Sequence, residues 1–477
     1  MSDTVRLQAS EAVARAAAER VIPPTKRSRI ASVRVSPGDY LGVICALTFA
    51  AALSLRAEID VAALIILGIA WLVIPTLAFT DRVVFDGQTL SRKGLFQLLL
   101  RALGGRIQEL DIDDIERVES MAVRTLRRGG RVRYRYRSEL SGMGITFVIV
   151  SGGRSYRNMV TRLFPLIAES RLDVRSCELR DFLIDAKSLK SKIKLLQLAS
   201  PEVLDDATPD LKRETKGLLR RQPRHAPKVS EGGSDRATLL QRVGNELRIA
   251  GRLRQSAEAF RRALHMTPQD ARLVFEFARS LRSQASSMGD ARLLLRARAA
   301  LRLAARRVKD DAELLTRIGE SLFEYGDLQY AARVFRLALA VNPRSFRAEV
   351  GLAEVALRDG KLAHVIHFYN GAARLVADEA CARFARREAQ YYNRLNDDDS
   401  YLAAELRRFG WLQHIQLARK TSVRMTLASL VVLLVGLTLD ESIANLGWSL
   451  ASTSIAAWIL VTLVGRVLSH RRTIRQA

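Results

Sequence analysis

Cysteine is scarce: Cys45, Cys177 and Cys381 are the only three in 477 residues. They are odd in number and far apart, which excludes a disulfide framework or a clustered zinc site and favours a reducing compartment for the bulk of the chain. Proline (11) and glycine (28) are sparse as well, so neither a collagen-like nor a low-complexity polymer fits. Negative charge is in deficit. The 50 Asp and Glu face 76 Lys and Arg, a formal charge of +26, which favours contact with anionic lipid or nucleic acid without choosing between them. Catalytic signatures are also missing: there is no GxxxxGK[ST] loop, no GxSxG elbow, no HExxH and no CxxC. No enzyme class is indicated, and no cofactor or metal is expected. His364 and His367 lie three apart, but two histidines make an incomplete metal site.

What the chain does have is apolar runs, two near each end. Residues 40–55 and 61–79 form one pair around a short charged stretch; residues 425–439 and 443–464 form the other. A bilayer-spanning helix needs roughly 17 to 25 apolar residues, so the first member of each pair is marginal. We read two transmembrane helical hairpins, residues 38–79 and 421–465, and no N-terminal signal peptide, since the first apolar run starts near residue 40 and a second follows at once. Basic residues flank the hairpins outside: Lys26, Arg27, Arg29 and Arg34, then Arg82, Arg92 and Lys93, then Arg419, Lys420 and Arg424, then Arg466, Arg471, Arg472 and Arg475. The inner loops hold Arg56, Glu58 and Asp60 in one case and Asp440 and Glu441 in the other. The positive-inside rule then puts the basic segment 1–37, the tail 466–477 and everything sizeable between the hairpins on the cytoplasmic side.

Residues 80–185 read as a small α+β domain. Asp86-Gly87 between apolar residues signals a tight hairpin, residues 131–137 and 145–150 form a second strand pair around the turn at 141–144, and the spacing of Met159, Val160, Leu163, Leu166 and Ile167 predicts a closing amphipathic helix. Together with the two-helix anchor and the Ile-Asp-Asp-Ile-Glu-Arg-Val-Glu run, this order of elements resembles the bacterial pleckstrin-homology-like (PH-like) domains. The resemblance implies a curved antiparallel sheet capped by a helix, and a bacterial inner membrane as the home of the anchor. Within it Arg131, Arg133, Arg135 and Arg137 alternate with Val132, Tyr134 and Tyr136, so on a strand the guanidinium groups share one face. With Arg124, Arg127 and Arg128 upstream, they are candidates for contact with anionic lipid or another anionic ligand; nucleic acid is the less favoured partner.

A basic, proline-containing linker, residues 186–236, leads to a 34-residue period. In units 237–270 and 312–345 the same positions hold Gly244 and Gly319, Leu247 and Leu322, Gly251 and Gly326, Phe260 and Phe335, Ala263 and Ala338, Pro268 and Pro343. Unit 346–379 keeps the frame with Ala353, Gly360, Tyr369 and Ala372, and unit 271–311 fits with an insertion near residues 284–290. These residues resemble the tetratricopeptide repeat (TPR), which implies an all-α solenoid over residues 237–420 with a concave groove that binds a protein segment. Carried over by position, the groove-facing candidates are Gln241, Asn245, Arg248, Arg272, Arg279, Arg282, Arg317, Glu320 and Arg347. Arginine dominates, so an acidic partner segment is expected.

The reading is a multi-domain α+β membrane protein comprising two hairpins, a PH-like sheet domain and a TPR solenoid. Its expected function is that of a non-catalytic scaffold at the cytoplasmic face, acting by effective concentration. In plan it resembles accessory subunits of exopolysaccharide synthesis systems such as Pel. The alternative is a lipid- or nucleotide-sensing regulator working through the basic sheet.

Overall fold

The computed structural model describes residues 30–102, 104, 108–126, 132–151, 153–200, 203–204 and 231–469. Its first element lies in the segment read from sequence as the basic N-terminal stretch 1–37. Strand β1 (Ala31–Arg34) runs antiparallel to β2 (Arg82–Phe85), with Arg34 opposite Arg82 and Ala31 opposite Phe85. The first apolar hairpin, α1 (Gly38–Arg56) and α2 (Asp60–Thr80), is inserted between these paired strands. The sheet module is thus assembled from both sides of the hairpin rather than from residues 80–185 alone. Within α2 a π-helical turn, Ile69–Val73, precedes Pro75, whose missing N–H cannot continue the α-helical ladder.

Two sheets follow. β1, β2, β3 (Thr89–Lys93) and β4 (Glu109–Asp111) pair in that order, and the Asp86 carboxylate caps the β2–β3 turn by accepting from the amides of Gln88 and Thr89 at 3.0 and 2.8 Å. After β3 comes a short helix, α3 (Leu95–Ala102). The second sheet is β5 (Arg117–Leu126), β6 (Val132–Gly142) and β7 (Ile145–Val150). Alternate residues of both sheets, among them Val83, Phe85, Leu90, Leu140, Phe147 and Ile149, share one core with Met159, Val160 and Leu163 of α4 (Arg154–Leu163). Two more helices, α5 (Val174–Phe182) and α6 (Ala186–Leu195), leave the module toward the repeats.

Four antiparallel helix pairs make the repeat array: α7 (Glu231–Ile249) with α8 (Leu253–Met266), α9 (Ala271–Met288) with α10 (Ala291–Arg307), α11 (Ala312–Glu324) with α12 (Leu328–Val341), and α13 (Phe346–Arg358) with α14 (Leu362–Leu375). The extra residues of unit 271–311 lengthen its helices to 18 and 17 residues, against 13 and 14 in the next unit. Phe335 shows why the period carries both glycine and an aromatic. A Cβ on Gly319 would come within 2.6 Å of its ring and one on Gly351 within 2.4 Å, so the ring fills a gap that exists only because both neighbours lack a side chain. The array is therefore a stack of helix pairs held in register by these close contacts.

A capping helix, α15 (Glu379–Asp397), is followed by α16 (Asp399–Leu439), which runs unbroken for 41 residues from the solenoid into the third apolar run. At about 1.5 Å per residue this is roughly 60 Å. α17 (Glu441–Ser469) returns alongside it; a Cβ on Gly447 would sit 2.5 Å from the Leu433 amide nitrogen, so the two backbones meet closely. Three described helices, Asp60–Thr80, Asp399–Leu439 and Glu441–Gly465, are long and apolar enough to cross a membrane; Tyr40–Arg56 is shorter. The hairpins also touch: Arg56 donates to the Asn445 side chain at 2.8 Å and lies over the Trp448 ring.

Candidate interaction groove

The first helices of the repeats carry side chains that meet the sheet module of the same chain. α5 brings Glu178 between Arg248 of α7 and Arg279 of α9, and pairs with both. These three residues are only 8, 7 and 7% exposed. Asn245 accepts from Arg248 at 3.3 Å. One turn before α5, Glu169 meets Arg317, Arg347 at 3.3 Å and Arg180 at 3.0 Å, while Glu320 takes Arg347 at 2.6 Å. Further along, Arg171 grips Asp378 with two hydrogen bonds of 2.6 and 2.7 Å, Arg117 pairs with Glu354 at 3.2 Å and lies over Phe384, and Arg387 reaches Glu116 at 2.8 Å.

The structure thus gathers Asn245, Arg248 and Arg279 around Glu178, and Arg317 and Arg347 around Glu169, with Glu320 of α11 also holding Arg347. The two central carboxylates, Glu169 and Glu178, come from the sheet module. Arg272 lies apart, exposed and 3.5 Å from Asp311; Arg282 stacks over Tyr325; Gln241 is half-buried on α7. The residues that sequence reasoning misses are Glu169, Arg171, Glu178 and Asp378, which carry no local motif. The only signal is indirect: a groove that presents four arginines requires carboxylates from elsewhere if it is to be buried.

Burial and charge compete at each acid. Burial alone would push Glu178 up, but Arg248 and Arg279 outweigh it and hold the carboxyl below its usual range. Glu169 is likewise opposed by burial, yet hydrogen bonds and charge from Arg317, Arg180 and Arg347 hold it at about 2. Asp173 goes the other way. Burial raises it to about 6, even though it accepts from the amides of Ser176 and Ser120.

Shared packing joins the two parts further. The Tyr136 hydroxyl donates to the Ile249 carbonyl at 2.8 Å, Lys192 of α6 pairs with buried Glu246 at 2.7 Å, and Leu189 and Leu196 belong to the same apolar cluster as Leu247 and Phe260. At Gly251 the backbone has φ +78° and comes so close to the Val132 carbonyl that no side chain fits.

One stretch of groove stays open. A cavity of about 430 Å³ lies between the sheet module and helices α11, α13 and α15, its wall including Phe323, Phe346, Phe384, Glu324, Glu354 and Arg358. Burial pushes both Glu324 and Glu354 up.

On the basic strand, Arg133, Arg135 and Arg137 are exposed on the outer face of β6, and Tyr134 and Tyr136 point the other way. Arg137 pairs with Glu139 at 2.7 Å. Met121 and Val123, opposite Arg137 and Arg135, are 52 and 53% exposed. Arg124 pairs in register with Tyr134; Arg127, Arg128 and Arg131 lie outside the described residues. Among the described residues no group of three His, Cys, Asp or Glu side chains is placed to hold a metal ion, and His364 and His367 pack beside Phe368.

No protein-family model matches the chain, and no curated protein does. Among solved structures, one of the MamA protein is similar at 15% identity and a TM-score of 0.25, covering 35% of this chain and 96% of that one. YrrB, described as a TPR protein with an unusual peptide-binding site, is similar at 14% identity and a TM-score of 0.26, covering 42% of this chain and 99% of its own. The Cut9-Hcn1 structure gives 14% identity and a TM-score of 0.28, covering 66% of this chain and 59% of that one.

Proposed function

We propose that the chain is a non-catalytic, membrane-anchored scaffold that holds a protein partner against the open stretch of its TPR groove. The observation that carries this reading is the division of the groove. Arg248, Arg279, Arg317 and Arg347 are neutralised by Glu178 and Glu169 of the same chain, whereas the cavity between the sheet module and helices α11, α13 and α15 offers phenylalanine and charged side chains to an incoming segment. On this reading α5 is a built-in strut, and recognition belongs to Phe323, Phe346, Leu357 and Arg358. The partner needs no net acidity, because the arginines expected to demand it are already paired.

Anchoring is part of the proposal. Pairing of Arg34 with Arg82 brings the two ends of the first hairpin together, which supports the sheet module lying on one side of a bilayer. The four-plus-three strand order with a capping helix supports the PH-like resemblance. The flanking basic residues support a cytoplasmic side for the soluble parts, and the resemblance to bacterial PH-like domains supports a bacterial inner membrane. The link to exopolysaccharide synthesis rests on the plan of the chain alone.

The test is affinity capture of the full chain in mild detergent, comparing wild type with Leu357→Asp plus Arg358→Asp; both positions are exposed, so the fold should survive. Loss of a discrete set of proteins with this variant, but not with Arg272→Glu, supports the reading. Retention of the same set by both variants removes the cavity as the recruiting surface.

A second reading, contact of the Arg133, Arg135 and Arg137 face with anionic lipid, is favoured by the exposed Met121 and Val123 beside it. Replacing the three arginines by alanine should lower the salt-sensitive part of anionic-lipid co-purification with the whole chain; unchanged co-purification at every salt concentration removes this reading.

A further inference from the structure

Helix α3 is built the wrong way round for a helix surrounded by water. Its residues Leu95, Leu98 and Leu99, spaced to share one face, are 41, 61 and 53% exposed, while Gln97 is 7% exposed. The inner side is already satisfied: Phe96 meets the Tyr40 ring edge-on at 6.4 Å, and the Arg92 guanidinium lies over it at 5.7 Å. Among the described residues no neighbour covers the three leucines, and together they form an exposed apolar patch.

Where α3 begins identifies the cover. The Leu95 amide donates to the hydroxyl of Thr80, the last residue of α2, at 3.3 Å. Gly94 sits so close to the Thr80 carbonyl and Asp81 Cα that a Cβ would approach both to 2.9 Å. Asp81, wholly buried, is locked by Tyr40 at 2.6 Å and by Arg92 at 2.5 Å. The helix is thereby fixed at the level where the apolar hairpin ends, with exposed Arg82, Lys93 and Arg101 nearby in sequence.

We propose that α3 lies in the interfacial layer of the bilayer, with Leu95, Leu98 and Leu99 inserted at the boundary between headgroups and acyl chains. This rests on reading α1 and α2 as membrane-embedded. Short helices with an apolar face and flanking cations occupy that layer because leucine gains by leaving water while the cations stay with anionic headgroups. The consequence is a third contact with the membrane, which fixes the tilt of the sheet module rather than merely tethering it.

The test uses the full chain carrying Cys45→Ser, leaving Cys177 and Cys381 buried, with a single environment-sensitive fluorophore on Leu98→Cys. Leu99→Cys serves as a second position. Reference probes sit at Leu72→Cys in α2 and at Leu295→Cys on the solenoid. Each variant is checked by circular dichroism and placed in phosphatidylethanolamine–phosphatidylglycerol vesicles whose lipids carry a quencher near the headgroup or near the acyl terminus. The proposal requires positions 98 and 99 to be quenched most by the shallow quencher and several-fold more than position 295. If they stay unquenched while position 72 is quenched, the proposal falls, a protein surface covers the leucines, and the anchor reading survives. If position 72 is unquenched too, both fall.

Discussion

Arg248 donates to Glu178, seventy positions earlier in the chain, and the two side chains are 8 and 10% exposed. This contact crosses from the solenoid to the sheet module, and Arg279 approaches the same carboxylate from the next repeat. A buried pair is costly to break one-sidedly, because the survivor is left charged and unsolvated. Glu178→Leu should therefore cost about 3 to 5 kcal/mol in urea unfolding, whereas Arg272→Ala, at the exposed pair with Asp311, should change stability by less than about 1 kcal/mol. Equal, small effects would mean that α5 is not a strut.

Phe335 gives a packing prediction. Its ring, 1% exposed, occupies the space left by Gly319 and Gly351. Phe335→Ala should cost about 3 to 5 kcal/mol, and Gly319→Ala about 1 to 3 kcal/mol through overpacking. Because both act on one volume, Gly319→Ala combined with Phe335→Leu should be less damaging than the sum of the two singles. Strict additivity in thermal unfolding would contradict the arrangement.

Two carboxyls at the junction predict opposite pH responses. Glu169 is held at about 2 against an ordinary 4.5, so the stability it contributes is complete above about 4.5 and is lost as pH falls toward 2. Asp173 is raised from 3.8 to about 6; the folded state then binds the extra proton, and stability declines as pH rises through that interval. Asp173→Asn keeps an acceptor for the Ser176 and Ser120 amides and should flatten the response between about 4 and 6. Glu169→Gln should be less stable at neutral pH yet flatter below about 4.5. Urea midpoints across this range decide both.

Thiol reactivity offers a probe of the same junction. Cys177 and Cys381 are 4 and 1% exposed, and burial raises both thiols to about 11. With Cys45 of α1 replaced by serine, maleimide should reach Cys177 and Cys381 only as the chain unfolds. In Glu178→Leu their modification should speed up. Rapid labelling of Cys177 in the intact wild type would place α5 outside the groove.

How much of this is legible in sequence follows from the range of each interaction. The repeats are legible because Gly319, Phe335 and Ala338 recur at fixed spacing and contact one another within one or two helices. The Asp86-Gly87 turn is equally local. Strand β1 is not legible, because Ala31–Arg34 finds its partner only beyond the whole first hairpin. The junction between residues 420 and 421 reads as a domain edge from its change of composition, yet no proline interrupts α16 there, so the helix simply continues. Repeat register puts Arg248, Arg279, Arg317 and Arg347 on the first helices of their units. What neutralises them does not, since Glu169 and Glu178 belong to no periodic pattern and reach the groove only through the tertiary fold.

The insertion of the hairpin between β1 and β2 also sets an order of events during synthesis. A ribosome releases β1 first, then both apolar helices, and only then the strand that β1 pairs with. Closure of the first sheet therefore waits until the whole hairpin has been made. A nascent chain stopped anywhere within residues 38–80 holds β1 as an open strand edge, so the first sheet can close only once the hairpin between its two strands is complete.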